Sequence, residues 1–166
     1  KGAGRRPTET APPGPLGHRQ YDRITEANLP KLTAEGQLVH FHAHLDVFYN
    51  AQHVAVPAGI GIDLQRRVIS PMHTHLATGV IHVEAQSDEA VTLGQFLTEW
   101  GVKVTDTCVS DKCGDQVVVY VNGEQVDVSA PALVIKPDTE IALILGAAPD
   151  EIPMGYACDP NDACPN

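Results

Sequence analysis

The chain is short of basic residues: Lys and Arg number 11 against 21 Asp and Glu, a formal charge of −10. That balance excludes a nucleic-acid phosphate backbone as a natural partner. Long apolar runs are missing too. The longest, "IALILGAA", is strand-sized, far below the roughly 20 residues that a membrane helix needs. There are only two methionines, Met72 and Met154, too few to suggest a thioether Cu(I) site. Neither cysteine pair has the C-x-x-C spacing of a zinc knuckle or a thioredoxin motif. H-E-x-x-H, G-x-S-x-G and the phosphate-binding P-loop are all missing. Aromatic residues make up 5% of the chain. Small size, few aromatics and missing catalytic signatures favour a binding protein over an enzyme.

What is present fits one globular domain. Of 166 residues, 43% are hydrophobic, enough for one sizeable core. Thirteen prolines and fourteen glycines argue for short elements joined by turns. Cys108 and Cys113 flank one short polar loop, and Cys158 and Cys164 flank another. Four cysteines allow three pairings. The two local disulfides are expected, because each loop is rich in turn-forming residues, with free or metal-binding thiols as the alternative. Disulfides place a protein outside the cytosol. The sequence starts at Lys1 rather than Met, which suggests a processed product. The expected location is therefore extracellular or on the exterior of the cell envelope, released from or tethered by a lost N-terminal anchor. "CDPNDAC" alternates Asp and Asn like a cation loop, but it lacks the Gly and terminal Glu of an EF-hand and reads as a disulfide-closed turn.

Residues 1–17 are Pro/Gly-rich without periodicity and read as a flexible tail or linker. Residues 18–150 read as a single His-rich β domain, and 151–166 as a disulfide-closed C-terminal tail. "TEANLPKL" (25–32) suggests a helical turn or two. "LVHFHAHLDVFYN" alternates strictly, so it is a strand with His40, His42, His44, Asp46 and Phe48 on one face. A tight turn at Asn50-Ala51 sets His53 opposite Phe48. "GVIHVEA" is a further strand carrying His82 and Glu84 on one face. "TLGQFLTEWG" has helical spacing, a Thr92/Gln95 capping box and Gly101 at its exit. Asn122-Gly123 marks a hairpin, and "LVIKPDTEIALILG" reads as two strands about a Pro-Asp turn. The expected fold is α+β and mainly β: an antiparallel sheet with one short helix, β-grasp-like, or alternatively a β-sandwich.

Seven of the eight histidines lie between positions 40 and 82. Alternate strand residues project to one face about 6.6 Å apart, close enough for two imidazoles to share an ion. Neutral imidazole is a common transition-metal ligand near neutral pH. A solvated face would also draw on Thr, Lys, Glu, Ser and Gln. The candidate metal ligands are His40, His42, His44, His73, His75 and His82, with Asp46 and Glu84 either orienting the imidazoles or binding metal themselves. His53 reads as peripheral, and His18 lies in the tail. Nitrogen and oxygen donors point to copper, as Cu(II), with zinc as the alternative. Metal capture, storage or delivery is the expected function, with affinity falling below roughly pH 6 as imidazoles protonate.

Two other readings stand beside it. One is an extracellular structural protein that self-assembles as a filament, through its N-terminal tail or exposed sheet edges, with His/metal contacts between copies. The other is a small metal enzyme with Glu84 as base. The H-x-H of "PMHTHLATG" invites comparison with cupins, but Gly79 and Val80 stand where the cupin glutamate would be.

Taken together, "HFHAHLDVF", "VPAGIGID", "SPMHTHLATGVIHVE" and "TLGQFLTEWGV" resemble a family of uncharacterised bacterial proteins, often exported or membrane-anchored, that carry HxHxHLD and PxHTHxxTGxIHVE motifs. The resemblance covers residues 38–102, and more loosely the chain through 146. It implies that the His-rich motifs and the Leu-Gly-Gln-Phe helix belong to one domain, and it brings no activity with it. Where the family has an acidic or polar residue after His-Thr-His, this chain has Leu76.

Overall fold

The computed structural model describes residues 13–164. In chain order the elements are α1 (Gln20–Glu26), β1 (Val39–Tyr49), β2 (Gln52–Val54), β3 (Ile62–Asp63), β4 (Val68–Ile69), β5 (Met72–His73), β6 (Val80–Ala85), α2 (Leu93–Trp100), β7 (Cys108–Val109), β8 (Lys112–Cys113), β9 (Val117–Val121), β10 (Glu124–Gln125) and β11 (Glu140–Leu145). The main sheet runs β10-β9-β11-β1-β6-β5, with β2 also paired to β1. β1 and β11 lie at its centre and are parallel, with Leu45 opposite Ile141. Their other neighbours, β6 and β9, are antiparallel to them. The antiparallel pair β1–β6, helix α2, hairpin β9–β10 and a final strand beside β1 make a β-grasp order.

The core lies between α2 and one sheet face. Alternation on β1 sends Ala43, Leu45 and Val47 to that face, where they meet Ile81 and Val83 of β6 and Ile141, Leu143 and Leu145 of β11. Helical spacing brings Leu93, Phe96, Leu97 and Trp100 of α2 down onto the same cluster. Each large side chain buried there contributes about 1.5–3 kcal/mol. The capping box forms as read: the Gln95 amide donates to Thr92 Oγ1 at 3.2 Å, and Gln95 Oε1 accepts from the Thr92 amide at 3.0 Å. Gly101 ends the helix with φ 92°. Asn122 and Gly123 take positive φ at the β9–β10 turn, and Phe48 pairs with His53.

The sheet is mainly antiparallel, as expected, with a parallel β1–β11 pairing that closes over most of the chain and that no local pattern encodes. The structure departs from the sequence reading in two places. Among the described residues there are two α-helices; α1 begins at Gln20, ahead of the 25–32 stretch, and buries Gln20 and Ile24. Leu133, Val134 and Ile135 form no strand beside β11. They bond across to 91–93 instead, where Leu93 N donates to Leu133 O and Ile135 N to Val91 O. The arrangement is one main sheet under a helix, the β-grasp-like reading and not the alternative sandwich.

Residues 1–12 of the expected tail lie outside the described residues. Within residues 13–17, Pro13 is buried, Gly14 O accepts a 2.8 Å bond from Trp100 Nε1, and Leu16 packs on the core.

Candidate metal centre

The face of β1 turned away from α2 carries the histidines, and strand pairing lines them up. β1 pairs with β6 so that His42 stands opposite His82 and His40 opposite Glu84. β6 pairs with β5 so that His73 also stands opposite His82. Three adjacent strands thus place His42, His82 and His73 in one row across the sheet. His75, two residues beyond His73, returns to the same cluster. The ring centroids of His75 and His82 are 4.5 Å apart, and those of His73 and His75 4.8 Å. His73 and His82 are stacked at 5.6 Å. His73, His82, His42 and Glu84 are all buried.

Hydrogen bonds fix which ring nitrogens carry protons. His73 Nδ1 is 2.9 Å from the Ser70 carbonyl, which can only accept. The proton therefore sits on Nδ1, and Nε2 presents a lone pair. That Nε2 is buried with no hydrogen-bond partner among the described residues. It lies 4.0 Å from Glu84 Oε2. His82 Nε2 donates to Asp162 Oδ1 at 3.1 Å, leaving Nδ1 to accept from His42 Nε2 at 3.0 Å. His82 Nδ1 is also 3.7 Å from Glu84 Oε1. A buried acceptor without a donor costs about 1–3 kcal/mol. Lone pairs held in place from behind by a carbonyl and a carboxylate match the way metal-binding imidazoles are oriented.

One donor atom each from His73, His75, His82 and Glu84 lies within 4.8 Å of the others, and the same holds for His40, His42 and Glu84. The residues therefore suit a metal ion: neutral imidazoles and a carboxylate, with the His73 Nε2 lone pair unpaired among the described residues and the His82 Nδ1 lone pair taken up by His42 in the metal-free cluster.

The titration behaviour agrees. Burial first, then the neighbouring histidines, pushes His73 down to about 3, against the pull of the Ser70 hydrogen bond. Burial and repulsion from His82 and His40 lower His42 to about 4. Burial also lowers His82, against the opposing hydrogen bond to Asp162. Glu84 is raised to about 7 by burial and by the facing Glu35 carboxyl. The apo cluster is thus a set of neutral imidazoles around a carboxyl that gives up its proton near neutrality.

His44 does not join the cluster. Its Nε2 donates to Thr78 O at 2.8 Å and its Nδ1 meets Glu140 Oε2 at 2.7 Å, with Tyr156 stacked on the ring at 5.0 Å. Burial lowers His44, but the Glu140 hydrogen bond and charge outweigh it and leave it raised. Asp46 sits in this second group, 3.8 Å from His44 and 2.9 Å from His53. His44, Asp46 and Glu140 form a separate three-donor set. Met72 is also no ligand, because alternation on β5 turns it into the core.

Three acidic residues beside the histidines escaped the sequence reading. Asp162 is fully buried against His82 and accepts from Thr78 Oγ1 as well. Glu35 approaches His75 Nε2 at 3.6 Å. Glu140 underlies His44. Only Asp162 had a signal, its place in "CDPNDAC", and nothing in that motif says that the loop folds back over β6.

Both local disulfides form. Cys108–Cys113 ties β7 to β8, and Cys158–Cys164 closes the loop that carries Asp162. Two disulfides suit an oxidising, extracellular type of environment. Among the described residues, no helix is long and apolar enough to cross a membrane. No protein-family model matches the chain, and no curated protein or solved structure matches it either.

Proposed function

We propose that this chain is an exported protein that binds a divalent transition metal through its histidine cluster, for capture, storage or delivery of the ion. The observation that carries the reading is the buried Nε2 of His73, which has no hydrogen-bond partner among the described residues and lies 4.0 Å from Glu84 Oε2. Nitrogen donors with one carboxylate and no sulfur in the donor sets favour Cu(II) over Zn(II), since copper leads the affinity order for such sites. The disulfides support an oxidising compartment, and the resemblance of residues 38–102 to exported or anchored proteins supports the cell exterior.

The test is a chelator-competition titration of metal-free protein with Cu(II) and with Zn(II), repeated on H73A/H75A. Tight uptake by the native chain and its loss in the variant, with circular dichroism unchanged, are expected. Equal binding by a folded variant would place the site elsewhere, and no uptake by the native chain would end the reading.

A further inference from the structure

We infer that the cluster is a two-ion centre bridged by Glu84, with an inner ion held by His73, His75 and His82 and an outer ion held by His40 and His42. This rests on the metal-binding reading above and deepens it.

Donor number is the first argument. Five imidazoles and a carboxylate form one continuous cluster, whereas a zinc-type ion takes four ligands and catalytic sites supply only three from protein. The donors also fall into two sets, and the residue common to both is Glu84. It lies between them: Oε1 is 3.3 Å from His40 Nε2 of the outer set and 3.7 Å from His82 Nδ1 of the inner set, and Oε2 is 4.0 Å from His73 Nε2 of the inner set. A carboxylate placed this way reaches an ion on each side.

The sets abut. His42 Nε2 and His82 Nδ1, one from each, are 3.0 Å apart. Ions held by such neighbours would be close, and paired ions in proteins typically sit about 3.5–4 Å apart. Two cations at that range repel, and negative charge must offset them. Glu84 lies between the sets, Glu35 faces Glu84, and Asp162 backs His82.

The subsites differ in access. In the inner set His73 and His82 are fully buried and the His75 side chain is one-third exposed, while in the outer set His42 is buried and the His40 side chain is half exposed. A groove of about 420 Å³, lined by His42, Asp138, Met154, Tyr156 and the Cys158–Cys164 bridge, opens beside the outer set. The outer ion is the more accessible of the two through His40 and the groove, with His42 and His82 in contact at the boundary.

The probes are Zn(II) and Cu(II) alone, added to metal-free protein. Native mass spectrometry should count two ions per chain, falling to one in H40A, an exposed substitution that spares the fold. In the two-copper form, electron paramagnetic resonance should show a spin-coupled pair, with signal well below the copper content. Glu84→Gln should uncouple it and restore the signal. Three results would overturn the two-ion centre yet leave metal binding intact: one ion in the native chain, two ions unaffected by H40A, or two uncoupled coppers lost instead in H44A, which would mark the His44 set as the second site. No ion at all would remove both proposals.

Discussion

Asp162 accepts a 3.1 Å hydrogen bond from His82 although 80 residues separate them in the chain. The bond decides which nitrogen of His82 faces the cluster, and the Cys158–Cys164 bridge holds the loop that delivers it. Asp162→Ala is therefore expected to weaken Zn(II) or Cu(II) binding by about 10–100-fold, the usual cost of losing a carboxylate behind a metal-binding imidazole. Chelator competition measures it. An unchanged constant would show that Asp162 does not orient His82.

Opening the Cys158–Cys164 loop should act in the same direction. The C158S/C164S double variant is expected to lose metal affinity while keeping its β-sheet circular dichroism, because the core contains none of that loop. Loss of the whole fold would instead make the bridge a structural staple.

The pH dependence of binding follows from Glu84 more than from the histidines. His42 and His73 stay neutral down to about 4 and about 3, so imidazole protonation at those two does not explain a loss near pH 6. Glu84, raised to about 7, must give up its proton to bind metal. Affinity should be full above pH 7 and fall by up to about tenfold per pH unit below it. Glu84→Gln should flatten that slope. A curve that stays level from pH 8 to 5 in the native chain would contradict the assignment.

Metal-free stability has opposing proton terms. His42, His73 and His82 are depressed in the fold, so the unfolded chain binds more protons below 6.5, and stability is lost as pH falls toward 4 and 3. Glu84, Glu99 and Glu140 are raised, so the fold binds more protons above 4.5, and stability is lost as pH rises through that value, for Glu84 up to about 7. Each group contributes at most about 1.4 kcal/mol per pH unit within its window. Between pH 4.5 and 6.5 the two sets oppose each other, and below 4.5 the histidine terms act alone. Thermal midpoints of the metal-free protein should form a plateau over that interval and drop below it. A midpoint that continues to rise as pH falls under 4.5 would be inconsistent with neutral, buried histidines.

The helix cap offers a test away from the metal. Thr92→Ala removes the hydroxyl that accepts from the Gln95 amide and should cost about 1 kcal/mol in chemical denaturation, with metal affinity unchanged. A coupled loss of binding would mean that α2 sets the geometry of the histidine face through the sheet.

Local periodicity made much of this fold readable. The alternation of β1 and β6, the spacing and caps of α2, and the Asn122-Gly123 turn each act within a few residues, and each appears where the sequence places it. Pairing partners act over long distances and left no such trace. Nothing near Val47 announces that it lies beside Leu143 in parallel. The histidine face was legible because period two is strict along a strand. The split of that face was not. His42 and His44 share it, yet one meets His82 and the other Glu140, because β6 flanks β1 at both positions while β11 begins only opposite His44. Asp162 and Glu35 reach the site from irregular segments, where no period predicts which way a side chain turns.

The most direct test of metal binding is native mass spectrometry with elemental analysis, on protein purified from its own source without added metal. The account predicts copper or zinc bound at one or more ions per chain. A metal-free protein that also fails to take up added Cu(II) and Zn(II) would contradict it, and the buried lone pair of His73, without a hydrogen-bond partner among the described residues, would then need one.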